Sequence, residues 1–230
     1  MRSGVPRLVL LSGRGEAEAE RAEQAVRASG ADVTILRSTW FAQNFSESYW
    51  VDMVSGKVAL PAGDTPEPFV DGGDLADVAV AAHTGDRHIG QLYELTGPRL
   101  LTFAEAVAEI ATATGREVRY VPVSVQQYAA AAVGQGVPSE VIDLLTYLFG
   151  EVLDGRNAHL ADGVQRALGR EPRLRRLRAT PPPVASGTLH PQAGWRDDQK
   201  DPSADRCGGG GGQAWRPGRS CLDSVTRERK

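Results

Sequence analysis

The first side chains suited to ligand binding are Ser12 and Arg37, each placed directly after a short, mostly aliphatic run. The two runs are residues 8–11 and 33–36. The Ser12 hydroxyl could bind a ligand or only cap its own loop. The Arg37 guanidinium could bind an anionic ligand such as a phosphate, but an ion pair with an acid on a helix is favoured.

An aromatic and polar segment, residues 38–45, begins immediately after Arg37. Trp40 and Phe41 offer flat apolar faces to a planar ligand, and the Asn44 amide both donates and accepts hydrogen bonds. These side chains predict a site for a flat, partly apolar molecule. Packing of the same rings against a neighbouring lobe is the equal alternative.

The histidines and cysteines do not indicate a metal site. Of the four histidines, only His83 and His88 are close in sequence, and Gly85 between them predicts a turn, so we expect no metal. Both cysteines, Cys207 and Cys221, lie in the last 60 residues. The preceding residues therefore have no disulfide framework, which fits a reducing, cytoplasmic location.

The elements that position these side chains predict an α/β fold. Residues 8–11 are aliphatic throughout, which is typical of a parallel strand buried between helix layers. Residues 16–29 have a helical pattern that Gly30 ends, and residues 33–36 predict the next strand, which completes a βαβ unit. Loops after the carboxyl ends of parallel strands are the usual ligand sites of such sheets.

The remaining pattern predicts short strands alternating with helices, and then a mostly helical lobe. Two helices begin with capping boxes, Thr102 with Glu105 and Ser124 with Gln127. Asp71 and Asp74 are interpreted as helix caps. The predicted strands are 57–60, 92–95 and 119–123, and the predicted helices are 47–55, 74–84, 102–115, 124–133, 138–152 and 162–169.

From about residue 172 the periodicity stops, and the composition turns to Arg, Pro and Gly. These residues hold half of the 14 prolines and five consecutive glycines, so they predict a disordered tail. Such a change is also typical of translation in a shifted reading frame.

Charge and hydropathy exclude two classes of partner. Residues 1–170 carry 14 basic and 22 acidic side chains, and the basic side chains of the tail are scattered, so we expect no nucleic acid. No apolar run approaches the roughly 20 residues of a membrane span, and the first residues lack a signal-peptide core. We therefore expect no membrane association.

A series of short motifs runs in order from about residue 5 to residue 172. They are Leu8-Val9-Leu10-Leu11-Ser12, the helix with Glu23, Ser29-Gly30, Thr34-Ile35-Leu36-Arg37, Phe41 with Asn44, Phe69-Val70-Asp71, Asp74-Leu75-Ala76-Asp77, Tyr93-Glu94-Leu95-Thr96-Gly97-Pro98, the helix with Glu105, and Gly115-Arg116-Glu117-Val118-Arg119-Tyr120. In this order the motifs resemble the NmrA-like members of the atypical short-chain dehydrogenase/reductase superfamily.

The resemblance implies part of a doubly wound, Rossmann-like parallel sheet that binds NADP or NAD, followed by a small helical lobe. Residues 1–100 would belong to the NAD(P)-binding domain, residues 101–172 to the substrate lobe, and residues 173–230 to the tail. The resemblance further implies a small acceptor such as a quinone or azo compound. It places Ser12, Arg37, Trp40 and Asn44 at the cofactor, and Trp40 and Phe41 at the acceptor.

The sequence departs from the family at the glycine-rich turn that lets a helix N-terminus approach the pyrophosphate. Gly13-Arg14-Gly15 lacks the third glycine and fits an ordinary loop better. We therefore expect an N-terminally truncated member in which residues 8–11 form an exposed strand edge that self-associates. Many short-chain reductases use a Tyr-x-x-x-Lys pair, but Met53 stands four residues after Tyr49, so no catalytic residue is assigned.

Three functions remain open from the sequence. The first is an NAD(P)H-dependent oxidoreductase. The second is a catalytically silent, NAD(P)-sensing regulatory or interaction protein, and the third is a non-functional truncated gene product.

Overall fold

The computed structural model describes residues 5–49, 52 and 55–173. The predicted disordered tail from residue 174 onward lies outside the described residues, as do Met53 and part of the predicted helix 47–55. Residues 46–49 form a turn and a bend, so that helix does not begin at residue 47. In the part of the chain that is described, no helix is both long enough and apolar enough to cross a membrane.

The described residues form five strands and six α-helices in an α/β arrangement, which confirms the predicted fold class. The strands are β1 (Arg7–Gly13), β2 (Asp32–Ser38), β3 (Lys57–Leu60), β4 (Leu92–Leu95) and β5 (Arg119–Pro122). The helices are α1 (Ala17–Arg27), α2 (Gly72–Thr84), α3 (Phe103–Thr114), α4 (Val125–Gly134), α5 (Ser139–Tyr147) and α6 (Gly163–Leu168). The chain also forms 3-10 turns over Ala42–Phe45 and Asp86–His88 and a π-helical turn over Leu148–Val152.

The main sheet is parallel and has the strand order β1-β2-β4. In its register, Leu8 lies opposite Val33, and Ile35 lies opposite Leu92. This arrangement is a partial doubly wound sheet, as predicted. The central strand β2 is buried because it has a neighbour on each side, and its Ile35 side chain is fully covered.

Strand β1 lies at the edge of this sheet, since it pairs only with β2 among the described residues. Its residues Leu8, Val9 and Leu10 are half-buried, and Leu11 is 52% exposed. The complete burial predicted for this run between helix layers is therefore wrong for Leu11, and the other three residues are only partly buried because they lie on an edge strand. The exposed edge expected from the family resemblance is present.

A second, two-stranded parallel sheet pairs β3 with β5. Helix α3 packs with it around an aromatic cluster that includes Phe45, Phe69, Phe103 and Phe149. Because β3 precedes residue 100 and β5 follows it, the two proposed domains share this sheet, and their division at residue 100 stays a prediction.

Helix starts follow the predicted caps at three of four positions. Thr102 and Ser124 both form complete capping boxes, and the Asp71 carboxylate accepts a hydrogen bond from the Gly73 N–H at 2.7 Å. Asp74 is not a cap. It is fully buried inside the first turn of α2, where the Arg170 guanidinium lies 2.7 Å from its carboxylate.

Candidate ligand-binding cleft

A cleft of about 540 Å³ opens at the carboxyl ends of β1 and β2. Its walls come from these strand ends, from the aromatic segment that follows β2, and from α4, α5 and the π-helical turn. The lining residues are Leu11, Ser12, Gly13, Arg14, Glu16, Ser38, Thr39, Trp40, Phe41, Asn44, Ser48, Tyr49, Tyr128, Val141, Leu145, Leu148, Val152 and Asn157. Four of the five predicted site residues, Ser12, Trp40, Phe41 and Asn44, are among them, and Arg37 is not.

Arg37 is held outside the cleft by acids of helix α1. Its Nε and Nη2 donate to the two carboxylate oxygens of Glu23 at 2.8 and 2.7 Å, and its Nη1 lies 3.3 Å from Glu20. The two acids are three residues apart and so share one face of α1. The ion pair favoured from the sequence is therefore present, and the guanidinium is not available to a ligand in the cleft.

Ser12 is linked to the same cluster. Its hydroxyl donates to Glu23 at 2.7 Å, and the Arg37 hydrogen bond holds the pKa of Glu23 below its usual range. Glu23 therefore stays a carboxylate that cannot give up a proton. The Ser12 oxygen can still accept a hydrogen bond from a ligand through its lone pairs.

Trp40 both packs against neighbouring rings and lines the cleft, which are the two alternatives considered from the sequence. Its ring packs against Phe149 and Phe103, with centroids 4.9 and 5.4 Å apart, and it also lines the cleft. Phe41 lines the same wall, and a backbone bridge to Val70 holds its position. The packing fixes the orientation of the aromatic wall, so no ring has to be ordered when a ligand binds.

The Asn44 side chain has no hydrogen-bond partner within the described part of the chain, although it lines the cleft. Its backbone is held in place because the Asn44 N–H donates to the Phe41 carbonyl at 3.1 Å and the Asn44 carbonyl accepts from the Tyr49 N–H at 2.7 Å. A fixed backbone with an open amide suits recognition of a ligand amide or carbonyl group.

The opposite wall is aliphatic. Val141, Leu145, Leu148 and Val152 line it, and the π-helical turn supplies the last two. Such turns are rare and occur frequently at functional sites. The sequence predicted one continuous helix over 138–152, because hydrophobic spacing does not distinguish a π turn from an α turn.

Arg14 is a structural residue of the cleft that sequence reasoning missed. Its buried guanidinium donates to Glu94 at 3.1 Å and to the carbonyls of Asn157 and His159 at 3.1 and 3.0 Å. The Asn157 amide in turn donates to the Arg14 carbonyl at 2.9 Å. These partners are distant in sequence, so no local pattern signals the contact.

Tyr49 and Asp52 are two buried acidic side chains that lie close enough for the Asp52 charge to influence the Tyr49 phenol. Tyr49 lines the cleft, and desolvation raises the pKa of its phenol well above the usual range. Desolvation also raises the pKa of Asp52 to about 7. A phenol in this position is a poor proton donor, which agrees with the absence of a lysine four residues later in the sequence.

No family model matches the chain. Individual relatives do match it. An NAD(P)H azoreductase of Xenophilus azovorans is 32% identical over 151 residues, which is 66% of this chain and 53% of the azoreductase. Quinone oxidoreductase 2 of Escherichia coli is 29% identical over 123 residues, which is 54% of this chain and 43% of that enzyme.

Solved structures share the fold. An NADPH-dependent quinone oxidoreductase of Escherichia coli complexed with NADPH superimposes with a TM-score of 0.65 at 23% identity, over 74% of this chain and 63% of that one. NmrA, a negative transcriptional regulator in complex with NAD, superimposes with a TM-score of 0.50 at 17% identity, over 71% of this chain and 60% of that one. In sequence the chain resembles an azoreductase and a quinone oxidoreductase, and in fold it resembles NmrA.

The chain spans about half the length of the relatives that it matches. The similar structures named above hold NADPH or NAD. Among the described residues that line the cleft of this chain, Arg14 alone is basic, and its charge is paired with Glu94. The cleft therefore suits uncharged rings better than an anionic group.

Proposed function

We propose that this chain forms the nicotinamide and acceptor end of an NAD(P)H-dependent oxidoreductase site that reduces a flat, conjugated molecule such as a quinone or an azo compound. The observation that carries the proposal is the cleft of about 540 Å³, with one aromatic and one aliphatic wall, at the carboxyl ends of two parallel strands. The names of two relatives, an azoreductase and a quinone oxidoreductase, support the choice of acceptor.

Three lining residues would hold the nicotinamide end of the cofactor. The open Asn44 amide suits the carboxamide, the Trp40 face suits the ring, and the Ser12 oxygen can accept one hydrogen bond. A bound NAD(P)H supplies two electrons and one hydrogen nucleus to an acceptor. Arg37 is left out of this set because its guanidinium is paired with Glu23 and Glu20.

The acceptor would lie between the aromatic and aliphatic walls. Trp40 and Phe41 face a planar molecule from one side, and Leu145 and Leu148 cover it from the other. Because these walls are apolar, they exclude water from the reacting atoms and favour an uncharged ring system.

Two further expectations belong to this proposal. Self-association through the edge of β1 follows from its unpaired backbone. A reducing, cytoplasmic location follows from the absence of cysteine before residue 207.

Calorimetric titration of the purified chain with NADPH and NADH tests the proposal, followed by NADPH oxidation in the presence of a quinone or an azo dye. We expect micromolar binding, about -8 kcal/mol, and turnover. Trp40→Leu should weaken both, whereas Val133→Ala, at a 66% exposed position on α4, should weaken neither.

The outcomes separate the three functions left open by the sequence. Binding with turnover supports the oxidoreductase. Binding without turnover of any tested acceptor supports the NAD(P)-sensing regulator. No binding up to millimolar ligand, by protein that circular dichroism shows to be folded, contradicts the proposal and favours a non-functional product.

A further inference from the structure

A buried carboxyl group lies directly behind the wall of the cleft. Glu67 is 1% exposed, and the Thr39 hydroxyl lies 2.6 Å from its Oε2. Thr39 itself lines the cleft. The position of Glu67 is fixed because its backbone N–H and carbonyl pair with Leu101 at 2.8 and 3.0 Å. Within the described residues, the second carboxyl oxygen, Oε1, has no hydrogen-bond partner.

This environment favours the neutral acid. An ionised carboxylate removed from water, with a single hydrogen bond, is strongly disfavoured. Desolvation accordingly raises the pKa of Glu67, while the Thr39 hydrogen bond and the charge of Arg14 partly oppose the rise. The Arg14 charge is itself paired with Glu94. When Glu67 is protonated, its O–H can donate to Thr39, and the Thr39 hydrogen is then free to donate to a ligand.

The cleft thus has two hydroxyl groups at strand ends, each backed by a buried carboxyl group, and the two carboxyl groups differ in charge. Glu23 behind Ser12 is bound by Arg37, which keeps it ionised. No arginine hydrogen-bonds to Glu67 within the described part of the chain. Of the two carboxyl groups, only the one behind Thr39 therefore has an environment that favours the protonated form.

We propose that Thr39 donates the proton to the acceptor bound in the cleft and that Glu67 replaces the proton that Thr39 gives up. This inference rests on the proposed function, in which a dihydronicotinamide is the reductant and a quinone or azo compound is the acceptor. Thr39 would be the catalytic residue, because it lines the site. Glu67 would act only through Thr39.

With a quinone as acceptor, a bound dihydronicotinamide would supply a hydride to the quinone and be oxidised, and one quinone oxygen would form an O–H bond with the Thr39 hydrogen. As the Thr39 O–H bond breaks, the Glu67 hydrogen passes to Thr39 Oγ1 and leaves Glu67 as a carboxylate. After the product leaves, water in the cleft returns one proton to Glu67 through Thr39.

Infrared spectroscopy of the chain at neutral pH, without cofactor, tests the proton on Glu67 directly. We expect a carboxylic-acid carbonyl band that disappears in Glu67→Gln, shifts in Thr39→Val and is retained in Thr39→Ser. The difference spectrum between the wild type and Glu67→Gln also distinguishes this band from that of Asp52, because the substitution leaves Asp52 unchanged. Absence of a band assigned to Glu67 overturns the proposal, whether or not the chain reduces a quinone.

Quinone reduction with NADPH tests the donation itself. Thr39→Val should lower kcat about 100-fold and remove the solvent deuterium isotope effect, whereas Thr39→Ser should restore both. Thr112→Val, the same substitution at an exposed position of α3, is the matched control and should change neither.

Two results would contradict the donor role in different ways. An unchanged kcat and isotope effect in Thr39→Val, with an active wild-type chain, overturns this inference and leaves the oxidoreductase proposal intact. A wild-type chain that oxidises no NADPH contradicts the oxidoreductase proposal and overturns the donor role with it.

Discussion

At the scale of single residues, Glu23 connects two of the predicted binding residues. Its carboxylate accepts from both Ser12 and Arg37 and is nearly fully buried. Glu23→Gln should lower the free energy of unfolding by about 2–3 kcal/mol at pH 7, because a buried charged hydrogen bond is lost. Urea denaturation measures this difference, and Glu18→Gln, at an exposed position, should stay within about 0.5 kcal/mol of the wild type.

The same substitution should change the acid dependence of stability. Because folding lowers the pKa of Glu23, its contribution is present above about pH 4.3, its unfolded value, and is lost as pH falls through the folded pKa. The stabilities of the wild type and Glu23→Gln should therefore converge in acid. A constant gap down to pH 2 would contradict this account.

Asp52 should have the opposite pH dependence. It is 6% exposed, and burial raises its pKa to about 7, while the unfolded residue ionises near about 3.9. Stability is thus lost as pH rises from about 4 to about 7. Asp52→Asn should be more stable than the wild type at pH 8, by on the order of 2–4 kcal/mol, and this gain should diminish toward pH 4.

Urea denaturation at both pH values measures this effect. Asp64→Asn, at an exposed position, is the matched control and should follow the wild-type curve. If Asp52→Asn were less stable than the wild type at pH 8, the carboxylate would have a stabilising role, contrary to its environment.

Four of the five residues that the sequence offered as site candidates line the cleft, because they lie at or shortly after the carboxyl ends of the two strands of a recognisable βαβ unit. The sequence also predicted that Arg37 would form an ion pair with an acid on a helix. It could not predict Arg14 or Glu67, because the partners of Arg14 lie up to 145 residues away, and Glu67 is 28 residues from Thr39. Contacts over such separations leave no local periodicity.

At the scale of elements, the position of α6 depends on one glycine. Gly163 begins this helix, and a Cβ there would overlap the backbone carbonyl of Glu94 on β4. Gly163→Ala should therefore force α6 away from the sheet and cost roughly 1–3 kcal/mol. Gly134→Ala, at the end of α4 with open space around it, should change stability little. Equal denaturation midpoints for the two variants would contradict close packing of α6 on β4.

The elements were predictable to the extent that their signals are local. The capping boxes at Thr102 and Ser124 correctly predicted two helix starts, because each motif is complete within four residues. The pairing of β3 with β5 was not predictable. The two strands have four residues each and lie about 60 residues apart, and nothing in either sequence specifies the other as its partner. The π-helical turn was missed because its side-chain spacing resembles that of an α-helix.

At the scale of the whole molecule, the pairing of β1 with β2 was foreseeable, because the two strands and the helix between them form a βαβ unit. The pairing of β2 with β4 was not predicted, since the intervening strand β3 lies in the other sheet. The edge at β1 followed from the family resemblance, which implies further strands beside it. The burial of Leu8–Leu10 was overestimated, because an aliphatic sequence looks the same in a central strand and in an edge strand.

That edge predicts the association behaviour of the chain. β1 presents an unpaired strand backbone beside the exposed Leu11, and such edges pair with other chains. Sedimentation velocity should therefore show a concentration-dependent dimer. Leu11→Lys should shift the equilibrium toward monomer, because a charge on an edge strand opposes pairing, whereas Leu144→Lys, at an equally exposed position on α5, should not. A wild-type chain that remains a monodisperse monomer at 100-fold different concentrations would show that the β1 edge is not an association surface.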